Sequence, residues 1–361
     1  MESITIGLLL PTSTILPVSK DFEKGLKEGL KCKTNINVEI IKEFIGQGDF
    51  KVTDAACVKL FNYDDVDLVT GVISNRAAHE LGERFKNSRK PLIVNNLGAQ
   101  IPDITRLNEY VFINSPHLWQ HAWTMGHRGV KEFGKKGMYI ASVYDAGYSF
   151  SQMFYLGMQA ADATSEWSFS VPPMPHPGEL SNMDVIFPFL EQYEPDFVFA
   201  NFCGAETTLF MNEFIKRGWH KKTRLTGLPY LLTPFAPLDD DITVDTTLVF
   251  NDSAEGAAGK AFYKLGLQTG QIIGEVTERA TTKKDLRDEL AKLTNVFSIE
   301  NAKMNAKPEE VAVTRNHIKA NEQTIASSTL ASWETFSLDP GLIKPLTEEL
   351  SAGWYNPYLC I

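Results

Sequence analysis

Catalytic signatures are what this sequence most conspicuously lacks. Gly7-Leu8-Leu9-Leu10-Pro11, at the end of the first predicted strand, has none of the further glycines that let a backbone approach a pyrophosphate. GxxxxGK[ST], HExxH and GxSxG are absent as well, and no cofactor is expected. Cysteine is scarce: Cys32, Cys57, Cys203 and Cys360 are the only four in 361 residues. None forms a CxxC pair or has a histidine at metal-site spacing. They read as buried small hydrophobes, with Cys203 set apart by its place on a polar tip. The histidines are dispersed. His117 and His121 are four apart on a predicted helix, but Trp119 and Trp123 flank them and no cysteine follows, which favours packing over a metal pair.

Positive charge is also in deficit. Lys and Arg number 35 against 45 Asp and Glu, a formal net charge of -10, which argues against nucleic acid or an anionic membrane surface as partner. No run is long and apolar enough to span a bilayer. The start, Met1-Glu2-Ser3-Ile4, enters a strand with no basic segment ahead of a long apolar one. A cytoplasmic protein and one whose leader is missing from this sequence both fit that start.

What is present is a repeated alternation of short apolar runs and amphipathic stretches. Val66-Asp67-Leu68-Val69-Thr70-Gly71-Val72 reads as a buried strand that breaks at Ser74-Asn75. Ala77, Ala78, Leu81 and Phe85 then recur at helical spacing, and Pro91-Leu92-Ile93-Val94 is a second strand stopping at Asn95-Asn96-Leu97-Gly98. Strand, polar tip, helix, strand, polar tip is the βαβ pattern of a parallel sheet, and both tips follow carboxyl ends of strands, where open α/β sheets bind ligands. Ser74 caps its helix, or offers its hydroxyl to an anion at the helix N-terminus.

The same alternation predicts strands over 4–10 and 37–44 and helices over 21–30 and 51–61. Val111-Phe112-Ile113-Asn114 looks like a crossing into a second series. There, helices are expected over 119–133, 151–161, 184–192 and 207–217, with strands over 137–144, 167–171, 195–200, 224–227 and 243–250. A long helical stretch rich in glycine and alanine follows over 254–276, then a helix over 286–293 and strands at 311–314 and 329–336. A tail with Trp354, Tyr355 and Tyr358 should dock on a domain.

The fold class expected is α/β, with two Rossmann-like parallel-sheet domains joined by a hinge of several crossings. Residues 1–114 with about 251–325 would form one lobe, and 115–250 with about 326–361 the other. Crossings are expected near Asn114-Ser115, Thr233-Pro234 and the end of the 254–276 helix. The tips gather hydroxyls, amides, glycine N–H groups and aromatics: Ser74, Asn75, Asn96, Leu97 and Ala99 from the first lobe, Trp119, Tyr148, Cys203, Gly204 and Tyr230 from the second. Singly, a tyrosine at a strand end is a packing residue with one wet edge. Together the tips describe a cleft that closes on a small ligand.

In these residues the chain resembles the type I periplasmic binding proteins, most closely the branched-chain amino acid receptor group of ABC transporters. Ile6-Gly7 and the helix carrying Phe22, Gly25 and Leu30 look like the family's opening. Gly71-Val72-Ile73-Ser74 resembles the turn whose serine binds the ligand carboxylate, and Pro91 to Asn96 with Gly98-Ala99 resembles the strand and loop completing that site. Phe112-Ile113-Asn114-Ser115 matches the first crossing. Val143-Tyr144-Asp145 through Gly147-Tyr148 is similar to the strand end with the ligand-stacking tyrosine. Asn201 to Ala205 resembles the glycine-containing tip of the second domain.

Two departures stand out. Leu228-Pro229-Tyr230 occupies the tip where the amino acid receptors place an acidic residue for the ligand ammonium. A free amino acid then requires Glu206 or an aspartate such as Asp239 to reach in, since a buried ammonium without a partner is expensive. Ile73 also stands where the family's first-domain disulfide has one half-cystine, which leaves Cys57 unpaired.

The resemblance implies an extracytoplasmic solute receptor, without enzymatic activity. It would act as a monomer or weak dimer, closing on a small carboxylate- or amide-bearing molecule and delivering it to a membrane permease. The rival readings are a cytoplasmic ligand sensor of the same fold and, least favoured, an enzyme on an α/β scaffold.

Overall fold

The computed structural model describes residues 3–12, 17–33, 36–143, 146, 149–176, 179–202, 204–232, 238–249, 260–293, 311–321 and 325–330. In chain order, the first elements are β1 (Ser3–Leu10), α1 (Val18–Lys33), β2 (Asn37–Phe44), α2 (Phe50–Asn62), β3 (Leu68–Val72), α3 (Asn75–Ser88), β4 (Leu92–Asn95) and β5 (Val111–Asn114). There follow α4 (Leu118–Glu132), β6 (Lys136–Ala141), α5 (Phe150–Ala161), β7 (Glu166–Ser170), α6 (Phe187–Tyr193), β8 (Phe197–Asn201), α7 (Ala205–Lys216), β9 (Arg224–Gly227) and β10 (Ile242–Thr247). Last come α8 (Ala261–Arg279), α9 (Leu286–Ala291), β11 (Val313–Ile318) and β12 (Ile325–Leu330).

The described residues of Met1–Pro116 and Lys260–Lys307 belong to one compact unit, those of His117–Gly259 and Pro308–Leu338 to another. Thr233-Pro234, where a crossing was expected, lies outside the described residues. Strand β11 pairs with β10 of the second unit, whereas the sequence placed residues up to about 325 in the first.

The first unit is a five-stranded sheet in the order β2-β1-β3-β4-β5, every pairing parallel. Inner strands β3 and β4 are buried at every position, as the near-continuous apolar run of a strand covered on both faces requires. Edge strand β2 instead alternates between half-buried and exposed residues. On one face α2 and α3 pack around Leu60, Val69, Leu81, Phe85 and Val94.

The pairing of α1 with α8 is closer than side chains allow. A Cβ on Gly25 would lie 1.9 Å from the Tyr263 carbonyl oxygen, one on Gly29 2.2 Å from that of Leu267, one on Gly266 2.1 Å from that of Phe22, and one on Gly270 2.4 Å from that of Leu26. The two helices therefore meet main chain to main chain.

The second unit repeats this plan. Its seven-stranded sheet runs β12-β11-β10-β9-β8-β6-β7, and β7-β6-β8-β9-β10 restates the order of the first sheet in parallel strands. The antiparallel pair β11 and β12 is appended beside β10. Arg315 on β11 grips Asp245 on β10 through Nε at 2.8 Å and Nη2 at 2.9 Å, and the buried Arg128 of α4 stands 3.7 Å from the same carboxylate. A glycine seam recurs between α4 and α5: Cβ atoms on Gly126 and Gly157 would fall 2.1 and 2.0 Å from the carbonyl oxygens of Phe154 and Trp123.

Cys57 is a buried free thiol that desolvation pushes up to about 12, but Cys32, in the last turn of α1, is exposed, against the expectation of burial. Cys203, Cys360 and the aromatic tail lie outside the described residues. No helix among them is long and apolar enough to cross a membrane.

His79 on α3 supplies a pH test. Its Nε2 is buried without a hydrogen-bond partner, and burial, helped by repulsion from Arg106, lowers the imidazole pKa to about 4. The unfolded chain protonates first, near the ordinary value of about 6.5. The stability His79 contributes is therefore complete above that pH and is lost as pH falls toward 4. Urea midpoints between pH 7.5 and 4.5 should drop more steeply in the native chain than in His79→Gln. Parallel slopes would show that the imidazole is solvated.

Candidate functional site

In each sheet the strand order reverses direction at one place, between β1 and β3 in the first and between β6 and β8 in the second. Successive connections leave from opposite faces there and open a crevice beyond the carboxyl ends of those strands. The tips singled out after β3 and β4, β8 and β9 fall on or next to these two crevices, and most of the one after β6 lies outside the described residues.

At the first, Ser74 is the N-cap of α3, 4 % exposed, and its Oγ accepts from the Ala77 N–H at 3.1 Å. The cap uses a lone pair and leaves the hydroxyl proton to donate elsewhere. Capping and ligand binding are thus compatible in one side chain. The first-turn N–H groups and the positive end of the helix dipole add to an environment suited to an anion.

Asn96 was expected to be a ligand donor, but its side chain is committed to the tip itself. Nδ2 donates to the Ile73 carbonyl at 3.0 Å and to Asn75 Oδ1 at 2.8 Å, while Oδ1 accepts from Gly98 N at 2.9 Å. Asn75 in turn donates to the Gln100 carbonyl at 2.8 Å. These bonds clamp the loop after β4 to the start of α3 and fix the Ser74 tip in place. Leu97 and Ala99 are buried apolar residues of the same loop.

Behind the tip lies a polar knot the sequence reading did not identify. Asn95 is fully buried. Its Nδ2 donates to Thr70 Oγ1 and the Gly71 carbonyl, both at 3.0 Å. Its Oδ1 accepts from Asn114 Nδ2 at 3.0 Å and from Thr269 Oγ1 at 2.5 Å. One amide therefore ties β3, β4, β5 and α8 together at the carboxyl end of the sheet.

In the second unit Tyr148 and Cys203 lie outside the described residues. Gly204 adopts φ 57° and ψ -133°, a conformation that residues with a side chain rarely reach, and α7 starts from it. Tyr230, 2 % exposed, sits in the 3-10 turn Pro229–Leu232 directly after β9. Trp119 is fully buried in the first turn of α4, and His121 Nδ1 bonds Thr247 Oγ1 at 2.8 Å. Among the described residues no group of three or more His, Cys, Asp or Glu is placed to hold a metal ion.

A polar cavity of about 980 Å³ opens at the opposite, amino end of the second sheet, lined by Glu132, Asp196, Thr223 and Arg224 among others. None of the residues singled out in the sequence lines it.

Residues 3–265 match the family described as periplasmic binding protein. Among solved structures, the chain is similar to an ABC transporter substrate-binding protein from Sphaerobacter thermophilus, at 18% identity and a TM-score of 0.63 over 93% of this chain and 98% of that one. A solute binding protein of an ABC transporter from Rhodopseudomonas palustris BisB5, in complex with 3,4-dihydroxy benzoic acid, gives 17%, 0.65, 95% and 100%. The leucine binding protein LivK from Thermotoga maritima MSB8 gives 13%, 0.64, 91% and 98%. At these identities the likeness is one of fold. No curated protein matches the sequence.

Proposed function

We infer that this chain, which belongs to the periplasmic binding protein family by the match over residues 3–265, is the solute receptor of an ABC importer. It closes on a small carboxylate- or amide-bearing molecule outside the cytoplasmic membrane and delivers it to the permease. The observation that carries the reading is the repeated strand order: two sheets of one topology, each with a polar tip at its switch point. A ligand of that size is supported by the neighbours, one in complex with 3,4-dihydroxy benzoic acid and another a leucine binding protein. Ser74 and the α3 N-terminus supply donors for the carboxylate. Buried aromatics such as Tyr230 and Trp119 supply apolar surface, and the chemistry ends at binding.

Calorimetric titration with 3,4-dihydroxybenzoate, benzoate, leucine and isoleucine tests this, together with solution scattering at saturation. At least one of these acids should bind, and the radius of gyration should fall when it does, because hinge closure compacts a two-lobed receptor. An unchanged radius at saturation counts against closure.

Ser74 separates scaffold from site. Ser74→Ala should lose about 1 kcal/mol of stability with the cap and weaken carboxylate binding by about 1–3 kcal/mol. Ser74→Asp keeps a good cap but turns a carboxylate toward the ligand's, so melting should recover while binding does not. Recovery of both would remove Ser74 from the site.

A further inference from the structure

Strand β7 ends the second sheet, next to β6. The Glu166 N–H donates to the Lys135 carbonyl at 2.9 Å. In a parallel pair the N–H and C=O of one residue point to the same side, and successive residues alternate. The main-chain groups of Glu166, Ser168 and Ser170 therefore turn inward to β6, and those of Trp167 and Phe169 turn outward. The outward groups have no hydrogen-bond partner among the described residues.

The side chains of the same two residues share one face of the strand. Trp167 is 38 % exposed and Phe169 46 %. Each ring is held from its own unit: Trp167 stacks on Tyr155 of α5 with centroids 5.1 Å apart, and Phe169 on Tyr139 of β6 at 5.8 Å. Solvent edges of sheets are ordinarily shielded by charge. Edge strand β2 follows that rule, carrying Glu39, Lys42 and Glu43, with Lys42 bonded to Glu23 of α1 at 2.6 Å. β7 has a single charge, Glu166, at its first position.

This edge is complementary to itself. Two copies set antiparallel about a twofold axis at Ser168 place Trp167 of each opposite Phe169 of the other. Both pairs are then of the kind that exchanges two hydrogen bonds, so every outward group of Trp167 and Phe169 is used. The aromatic rings meet across the junction as cross-strand pairs. Glu166 falls opposite Ser170, so no like charges face each other. Pro172 and Pro173 follow the strand and end the ladder.

We propose that β7 is a homodimer interface, on which a second copy of this chain pairs antiparallel about Ser168 and joins the two seven-stranded sheets into one. A contact made by one short strand and its aromatic pairs is small, so the dimer is reversible and dissociates in the micromolar range or above. Each chain carries a formal net charge of -10, and the copies repel at long range. Salt therefore tightens this dimer, where it would loosen one built on ion pairs.

Sedimentation velocity of the full chain over rising concentration, at low and at moderate salt, reads the association. The native chain should pass from monomer to dimer, and at a lower concentration in the higher salt. Trp167→Lys and Phe169→Lys should each raise the dissociation constant roughly tenfold or more, as loss of an aromatic anchor does. Circular dichroism checks that both variants keep the fold.

Cysteine pairing tests the register and removes no aromatic residue. Across the axis Ser168 faces its own copy in the closer kind of pair, with Cα atoms about 4.5 Å apart and within disulfide reach. Ser168→Cys should cross-link to a dimer under mild oxidation, above the level that the native cysteines give. Two copies of Glu166→Cys would stand about 13 Å apart along the strands, at about 3.3 Å per residue, and should not. If the lysine variants fail to fold, the cross-link decides alone.

A native chain that stays monomeric at every concentration overturns the proposal, whether the edge is open or covered from within the chain. A dimer that both folded lysine variants leave intact, or one that Ser168→Cys does not cross-link, has its contact elsewhere and overturns it equally.

Discussion

Asn95→Leu is expected to lower the stability of the first unit by about 2–4 kcal/mol, since each buried polar group left short of a partner costs about 1–3 kcal/mol. Leucine is close to asparagine in shape, so little of the loss comes from packing. The Gly71 carbonyl loses a donor, and the amide of Asn114 and hydroxyl of Thr269 lose the acceptor they share. The remaining bonds soften the effect without cancelling it: Asn114 still reaches Thr269 at 3.2 Å, and Thr269 still donates to the Leu265 carbonyl at 2.8 Å.

For a unit of this size the loss corresponds to a melting temperature lower by roughly 5–15 °C. A cycle with Thr269→Val checks the cause. Two substitutions in one network should cost clearly less together than the sum of each alone. Strict additivity would mean that the two side chains do not act as a unit.

Gly266→Ala is expected to destabilise the same unit by 2 kcal/mol or more, roughly the range for overpacking a close contact. The sign is the informative part. Helix propensity alone favours alanine over glycine by about 1 kcal/mol, and an exposed helix position would gain that. Here the new methyl carbon would sit 2.1 Å from the Phe22 carbonyl oxygen, a backbone atom that no rotamer change can move. Urea denaturation of Gly266→Ala and Gly29→Ala should therefore show lower midpoints for both. A raised midpoint in either would show that the helices stand further apart than described.

Much of the architecture was readable in the residues because it is written in local periodicity. β3, α3 and β4 emerged from an apolar run, a cap serine and helical spacing, and all three lie where expected to within a few residues. The C-terminal strands were less legible. β11 spans Val313–Ile318 where 311–314 was expected, and β12 spans Ile325–Leu330 where 329–336 was expected. Their sequences are half polar, and what places them is tertiary. Asn316 donates to the Val244 carbonyl and Arg315 grips Asp245, partners some seventy residues away.

The tips divide in the same way. The position of Ser74 follows from its place between strand and helix. That Asn96 spends its amide on Ile73 and Asn75 depends on contacts more than twenty residues distant, which no spacing rule contains. Glu206 could be named from its place on a tip. That its Oε1 accepts from Ser181 could not, because that partner lies twenty-five residues back along the chain.

The glycine seams between α1 and α8 and between α4 and α5 carry one more consequence. A contact built from main chain freezes no side-chain rotamers when it forms, so it orders two helices at a lower entropic cost than interdigitated leucines would. It also holds no alternative arrangement in reserve, because there are no rotamers to exchange afterwards. Each pair thus has one packing rather than a family of near-degenerate ones. Conformational variety is left to the loops at the strand ends, such as the one between β4 and β5.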